Sequence, residues 1–336
     1  MKNQRFDMLS RSVNVETTRR GFLGLAVAAA GVAVSRRTVL AADDRPEQKR
    51  LASMSVLERG AEWLQAQQLA DGGYPNVRGE PDFSATFDAI SALAALRNVG
   101  VAVETDAAVA YLEAHAAELN EVLLGREGVI VLPLVAAGAD PRDFGGVDLI
   151  DGLAASWDAA NGRYGAGDPI LNYLALLALA GTGEAIPGEA IAAIAAIQIE
   201  DGSWSLSGGT DPGSGDSLMT SLAVQVLAAA GHRKDPEVDA AIAYLHSIRD
   251  AGGGIGFSPG APPDTLTTAF VVAALSASGE RRTGEKWKPT IEALIAVQNE
   301  RGAFRYNDLA PGDDILATIA ALLALAGGSL PVLPAA

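Results

Sequence analysis

A repeat of about 46 residues is the feature that most constrains the fold of this chain. Its motif is Gln-x3-Gly-x-aromatic, with Asp in place of Gln in one copy and extra glycines in another. The motif residues are Gln68, Gly72, Tyr74, Gly162, Tyr164, Gln198, Gly202, Trp204, Phe257, Gln298, Gly302 and Phe304. Self-similarity at this period is typical of stacked helical hairpins, so we interpret these residues as structural.

A second pattern, Asp-x3-Thr or Asp-x3-Asn, precedes each of five apolar runs. An aspartate carboxylate accepts hydrogen bonds from the free N–H groups of a first helical turn, so these residues are predicted N-caps. The runs end at glycines, which supply the left-handed backbone that closes a helix. The predicted helix ends are Gly100, Gly181, Gly231, Gly279 and Gly327. The predicted caps are Asp82, Asp168, Asp216, Asp264 and Asp314.

The two helices of a unit differ in charge. Residues 236–250 mix charged and apolar side chains at helical spacing, whereas residues 265–278 carry no charge and are predicted to be buried on all sides. A sixth unit is needed between residues 104 and 140, where the loop motif has decayed. We therefore predict an all-α fold, an (α/α)6 toroid of six helical hairpins in two concentric rings. An open superhelix of hairpins is the alternative.

The fullest repeat copy, residues 59–74, resembles the QW motif of squalene and hopene cyclases and the related repeat of protein prenyltransferase β subunits. The resemblance implies an α/α toroid over residues 51–328, with a C-terminal tail at 329–336. It does not imply a reaction, because the acidic run at 311–314 lacks the first acid of the cyclase motif Asp-x-Asp-Asp. The aromatic share of 5% also argues against a cyclase that stabilises carbocations on aromatic rings.

In a toroid the inner helices point the same way, so the five predicted caps should surround one mouth of the cavity. Asp88 and Asp313 are expected to join them there. Converging carboxylates could bind a cation, hold a general acid with a raised pKa, or grip a polar ligand. Plain helix capping is the alternative. With no cysteine and three scattered histidines, we expect no metal site and no cofactor.

The first 41 residues have the order of an export signal. Arg19 and Arg20 precede an apolar run and resemble a twin-arginine signal, which exports proteins already folded. We predict a signal peptide at 1–41, a flexible linker at 42–50, and a periplasmic or extracellular protein with no stable membrane span after signal removal. An uncleaved membrane anchor is the alternative.

The net charge of the chain limits the partners that it is expected to bind. The net charge of −16 becomes −21 without residues 1–41, which carry seven bases and two acids, so nucleic acid is not an expected partner. We predict a binding toroid whose partner is a small molecule, such as an apolar one, or a periplasmic protein. A terpenoid or isoprenoid-type enzyme, cyclase or prenyltransferase-like, is the first alternative. A carbohydrate-active (α/α)6 enzyme is the second.

Overall fold

The computed structural model describes residues 54–165, 168–282 and 284–334. The predicted signal, with Arg19 and Arg20, and the predicted linker lie outside the described residues. The described chain forms thirteen α-helices and one short antiparallel pair, β1 (Tyr74–Pro75) and β2 (Pro81–Asp82). The helices are α1 (Val56–Gln65), α2 (Phe83–Asn98), α3 (Asp106–Ala114), α4 (Ala116–Val122), α5 (Gly128–Ala137), α6 (Leu149–Ala155), α7 (Pro169–Thr182), α8 (Gly188–Ala196), α9 (Ser217–Ala229), α10 (Pro236–Ser247), α11 (Thr265–Ser278), α12 (Lys288–Ala296) and α13 (Ile315–Leu325).

Six helices form a closed inner ring. Going round the ring, α2 packs on α5, then α7, α9, α11 and α13 follow, and α13 packs back on α2. The outer helices are α1, α3, α6, α8, α10 and α12, one before each inner helix. Closure between α13 and α2 excludes the open superhelix and confirms the (α/α)6 toroid. The decayed second unit contains an additional short helix, α4, where the other units carry the loop motif.

Hydrophobic burial explains why the inner helices carry so little charge. Nearly every residue of α9 is buried, because the helix packs against two inner neighbours and an outer helix. Removing such side chains from water is the main stabilising term of the fold. The outer helix α1 instead has one apolar face and begins with a capping box, in which Ser55 and Glu58 satisfy each other's backbone N–H groups.

The repeat motif closes the ring between the last and the first unit. Gln298 Nε2 donates hydrogen bonds to the Gly302 oxygen at 3.0 Å and to the Val56 oxygen at 2.8 Å, at the start of α1. Gly302 has φ +101°, and a Cβ there would lie 2.1 Å from the Arg59 oxygen. Only glycine therefore lets the two backbones meet. Comparably close approaches to the next outer helix occur at Gly72, Gly202 and Gly253.

The inner helices begin at one end of the toroid, the mouth, and finish at the other end, the floor. As predicted, left-handed glycines follow four of the inner helices, at Gly100, Gly231, Gly279 and Gly327. The prediction for Gly181 is wrong, because α7 continues to Thr182 and is capped by the left-handed Gly183. Gly181 lies inside the helix, where it lets Pro331 pack closely.

Candidate functional site

Carboxylates at the mouth hold the first turns of five inner helices. Asp82 accepts a hydrogen bond from the Ala85 N–H, and Asp314 accepts one from the Ala317 N–H, each at 2.8 Å. The same type of bond is made by Asp168, Asp216 and Asp264. Each of the five carboxylates is therefore engaged as an N-cap. None of them lines the central cavity formed by the described residues.

The residue four positions after each cap connects the mouth to the repeat loop. Thr86 Oγ1 donates to the Asp82 oxygen and accepts from the Tyr74 N–H, both at 2.8 Å. This shared hydroxyl explains why the Asp-x3-Thr pattern and the motif aromatic recur together. The equivalent pairs are Tyr164 with Asn172, Trp204 with Thr220, and Phe304 with Thr318.

The structure corrects the motif assignment of Phe257. In that unit the Ile255 N–H donates to Thr268 Oγ1 at 3.1 Å, so Ile255 occupies the position of the motif aromatic. Gly253 correspondingly is the motif glycine, with φ +95°. The extra glycines displaced the sequence match by two residues. Phe257 instead accepts a hydrogen bond through its backbone oxygen from the Ser217 N–H at 2.9 Å, which links neighbouring units.

Two of the capping carboxylates, Asp264 and Asp314, lie near the Tyr306 phenol at the mouth. Burial raises the pKa of Asp264 to about 6, although hydrogen bonds from Thr267 oppose the change. Burial also raises the pKa of Asp314. Burial, together with the charges of Asp264 and Asp314, raises the pKa of the Tyr306 phenol. The structure therefore brings two of the predicted mouth acids together.

Asp216 and Asp313 have separate environments. Asp216 is buried, and its two oxygens accept from the Met219 N–H at 2.8 Å and the Leu206 N–H at 2.7 Å. Asp313 accepts from Arg301 Nη2 at 2.5 Å, and the arginine side chain is largely exposed. Both side chains are thus held by donors of the protein itself.

A central cavity lies along the axis of the toroid. The cavity is narrow and partly open to solvent. Most of its lining consists of aliphatic side chains from α5, α11 and α13, and the rings of Phe87 and Phe270 also face it. The polar lining residues are Asp88, Ser91 and Gln225. An apolar cavity with a few polar groups is the usual form of a small-molecule site.

Among the described residues, Asp88 is the only acid that lines this cavity. It follows Asp82 by six residues, about one and two-thirds helical turns, so it lies inside the mouth rather than on its edge. Burial, reinforced by the nearby negative charge of Asp82, raises the pKa of Asp88 well above its ordinary value. No hydrogen bond within the described chain opposes this effect. The environment therefore favours the protonated carboxyl group, which can donate a proton or a hydrogen bond.

Sequence reasoning missed Gln225 and Ser91. Gln225 is an amide in the otherwise apolar second half of α9, and that contrast was the available signal. Ser91 donates to the Phe87 oxygen of its own helix at 3.2 Å, so its hydroxyl oxygen can still accept a bond. Both residues add hydrogen-bonding capacity to a mainly apolar wall.

Two features are absent from the described parts of the chain. Within residues 54–165, 168–282 and 284–334, no group of three or more His, Asp or Glu side chains is arranged to hold a metal ion. In the same residues, no helix combines the length and hydropathy needed to cross a bilayer.

A protein-family model matches most of the chain. The model of the prenyltransferase alpha-alpha toroid domain matches residues 35–127, 159–305 and 267–328. No curated protein matches the chain.

Several solved structures have a similar fold. A ligand-free type II terpene cyclase from Scytonema, MstE, is 13% identical, with 83% of this chain and 98% of that chain covered and a TM-score of 0.59. A variant of that cyclase in complex with its substrate, geranylgeranyl dihydroxybenzoate, is 14% identical, with 84% and 98% covered and a TM-score of 0.59. A glycosidase variant is 13% identical, with 87% and 100% covered and a TM-score of 0.55. At these identities the likeness shows the fold alone.

Proposed function

The chain belongs to the prenyltransferase alpha-alpha toroid domain family, and from that premise we propose that its central cavity binds an apolar isoprenoid-type chain and that Asp88 protonates it. The observation that carries the proposal is the position of Asp88, a carboxyl group with a raised pKa inside an apolar cavity. The fold likeness to a cyclase whose structure was solved in complex with a geranylgeranyl substrate supports the choice of ligand class. The apolar walls disfavour a carbohydrate, whose hydroxyl groups would need partners.

The proposed chemistry is an acid-initiated isomerisation. The Asp88 O–H proton adds to one carbon of a double bond, whose π electrons form the new C–H bond. A second double bond of the same chain attacks the cation at the other carbon and closes a ring. A C–H bond next to the ring cation then breaks: its electrons form a double bond and its proton passes to a water molecule, which leaves a neutral isomer of the substrate. A solvent proton restores the Asp88 carboxyl group.

The cavity supplies three conditions for this step. The apolar surroundings raise the pKa of Asp88 and so favour its protonated form, and the carboxylate formed after transfer faces the substrate cation in a medium of low dielectric, where their attraction is strong. The rings of Phe87 and Phe270 offer π faces to a cation. The aliphatic walls limit the water that would capture the cation. Although aromatics are scarce in the chain, two of them are thus located at the cavity.

The proposal is tested by incubating the purified chain with geranylgeraniol. Native mass spectrometry should show one bound alcohol, and gas chromatography of the extract should show a new isomer of unchanged mass. Asp88→Asn should retain binding and lose conversion, because the amide has similar shape and no acidic proton. Asp313→Asn is the matched control and should retain both. Absence of binding by the unaltered chain overturns the proposal.

The same experiment separates catalysis from binding alone. If the unaltered chain binds geranylgeraniol and returns it unchanged, the cavity is a binding site in which the neutral Asp88 carboxyl donates a hydrogen bond. That outcome would favour a binding toroid over an enzyme.

Export is a separate part of the proposal, supported by the arginine pair and the apolar run of the sequence. We propose that the folded chain is exported by a twin-arginine route and acts outside the cytoplasm. Arg19→Lys with Arg20→Lys should leave the protein in the cytoplasmic fraction of a Gram-negative host. Equal periplasmic amounts of variant and unaltered protein would contradict this.

A further inference from the structure

The C-terminal segment 329–334 covers the floor of the toroid. The side chains of Leu330 and Val332 are buried. Asn98 Nδ2, at the end of α2, donates to the Leu333 oxygen at 2.7 Å. Pro331 packs against α7 so closely that a Cβ on Gly181 would lie 3.0 Å from its ring. The segment therefore contacts inner helices on different sides of the ring.

Gln225 fixes this segment to the inner ring. The side chain is 1% exposed, and its Oε1 accepts a hydrogen bond from the Leu330 N–H at 2.8 Å. Its Nε2 donates to the Ser221 oxygen one turn earlier at 3.2 Å. A buried amide or backbone N–H without a partner is costly, so each group of the pair requires the other. The bond holds Leu330 at one position along the axis.

Leu330 is part of the cavity lining, at its floor side. The lining begins near the mouth with Leu266 and Leu316 and continues to Ala273 and Leu323, seven residues further along α11 and α13. At a rise of 1.5 Å per residue, these two layers are about 10 Å apart. Gln225, which holds Leu330, is eight residues from the start of α9, as Ala273 is from the start of α11. Leu330 is therefore expected beside the deeper layer, where a chain entering from the mouth would meet it.

We propose that Leu330 determines the longest apolar chain that the cavity accepts, with Gln225 as the residue that positions it. This inference rests on the proposed function, because it concerns the ligand of the same cavity. Ligand carbons that reach the floor contact the Leu330 side chain, and a longer chain must either displace the segment or leave carbons in water. Shortening the side chain makes room for additional methylene groups at the floor.

The test is competition between farnesol and geranylgeraniol for the full chain, followed by native mass spectrometry. Leu330→Ala should raise the bound ratio of geranylgeraniol to farnesol by about fourfold for each additional buried methylene. Leu330→Phe should change the ratio in the opposite direction. Because the two variants are expected to move the ratio oppositely, a general loss of stability cannot produce the result. Leu333→Ala, in the same segment but exposed, is the control and should leave the ratio unchanged.

The positioning role of Gln225 has its own readout. Gln225→Leu keeps the size of the side chain and removes the acceptor of the Leu330 N–H, so discrimination between the two alcohols should weaken while binding of both persists. If all Leu330 variants keep the original ratio, the inference about Leu330 is wrong and the proposed function stands. If the unaltered chain binds neither alcohol, both are overturned.

Discussion

The mouth and the floor of this toroid are built from different chemistry. At the mouth, five of the six inner helices begin at an aspartate whose carboxylate caps the first turn. At the floor, the helices end at left-handed glycines or backbone caps, and an uncharged segment containing Leu330 covers the axis. The two ends of the cavity therefore differ: the mouth is acidic, the interior is apolar, and the floor is closed by the C-terminal segment of the chain. Asp88 lies in the cavity lining, at the boundary between the acidic mouth and the apolar interior.

Glycine substitutions are expected to show the largest difference in stability between the two ends. Gly302 near the mouth and Gly100 at the floor both have left-handed backbone, with φ +101° and +85°, so alanine costs about 1 kcal/mol at each. At Gly302 the new Cβ would also collide with the Arg59 oxygen, whereas at Gly100 nothing lies within 4 Å. Urea unfolding should show a loss of roughly 4 kcal/mol for Gly302→Ala and about 1 kcal/mol for Gly100→Ala. Equal losses would show that the repeat motif does not close the ring.

Measuring the free energy of unfolding across a pH series should show how much the buried Asp264 carboxylate destabilises the folded state. Since the pKa of Asp264 is raised to about 6, the folded state binds this proton more tightly than the unfolded chain does. Stability should therefore fall as the pH rises from the ordinary value of 3.8 to about 6, and stay level above it, with a loss of up to roughly 3 kcal/mol. Asp264→Asn retains a capping side chain and should remove this part of the decrease.

The control for that series lies at the other end of the molecule. Asp235 precedes the outer helix α10, and its carboxyl group is exposed beside His232. Asp235→Asn should leave the decrease between pH 4 and pH 6 in place, as measured by thermal unfolding across the range. A decrease that persists unchanged in Asp264→Asn would contradict the assignment to the mouth.

Removing a threonine hydroxyl should give a smaller difference in stability between the mouth and the floor. The Thr220 hydroxyl oxygen accepts a hydrogen bond from the buried backbone N–H of Trp204 at 3.0 Å. Thr220→Val leaves that backbone N–H without a partner and should lower the free energy of unfolding by about 2 kcal/mol. Thr182, near the floor, donates only to carbonyl oxygens of its own helix, Ala178 and Leu179. Thr182→Val should cost less than about 1 kcal/mol in the same unfolding measurement. Similar costs would mean that the threonine does not couple the mouth to the repeat loop.

Most of the fold could be predicted from the sequence because its units repeat. Caps, loop glycines and uncharged helices recur at fixed spacing, so each copy of the repeat supports the assignment of the others. Asp82, for example, could be placed at a helix start because the same Asp-x3-Thr or Asp-x3-Asn pattern precedes the other apolar runs. The errors arose where a copy departs from the pattern. Extra glycines before Ile255 shifted the assignment to Phe257, and Gly181 resembled a helix end although Gly183 is the residue with left-handed backbone.

The site was less predictable because it depends on which side chains face the axis. Asp88 was grouped with the capping aspartates, and only packing shows that it lies deeper, among apolar side chains that raise its pKa. The uncharged tail gave no indication of the surface that it covers. The bond between Gln225 and Leu330 joins residues 105 positions apart, a distance over which no local pattern carries information.

Proton transfer from Asp88 is tested most directly by incubating the chain with geranylgeraniol in deuterium oxide. The Asp88 proton exchanges with the solvent, so the isomer formed should carry one non-exchangeable deuterium bonded to carbon, seen by mass spectrometry. Asp88→Asn should bind the alcohol and return it without deuterium. Equal carbon-bound deuterium in the products of the unaltered chain and of Asp88→Asn would contradict the role of Asp88 as the proton donor.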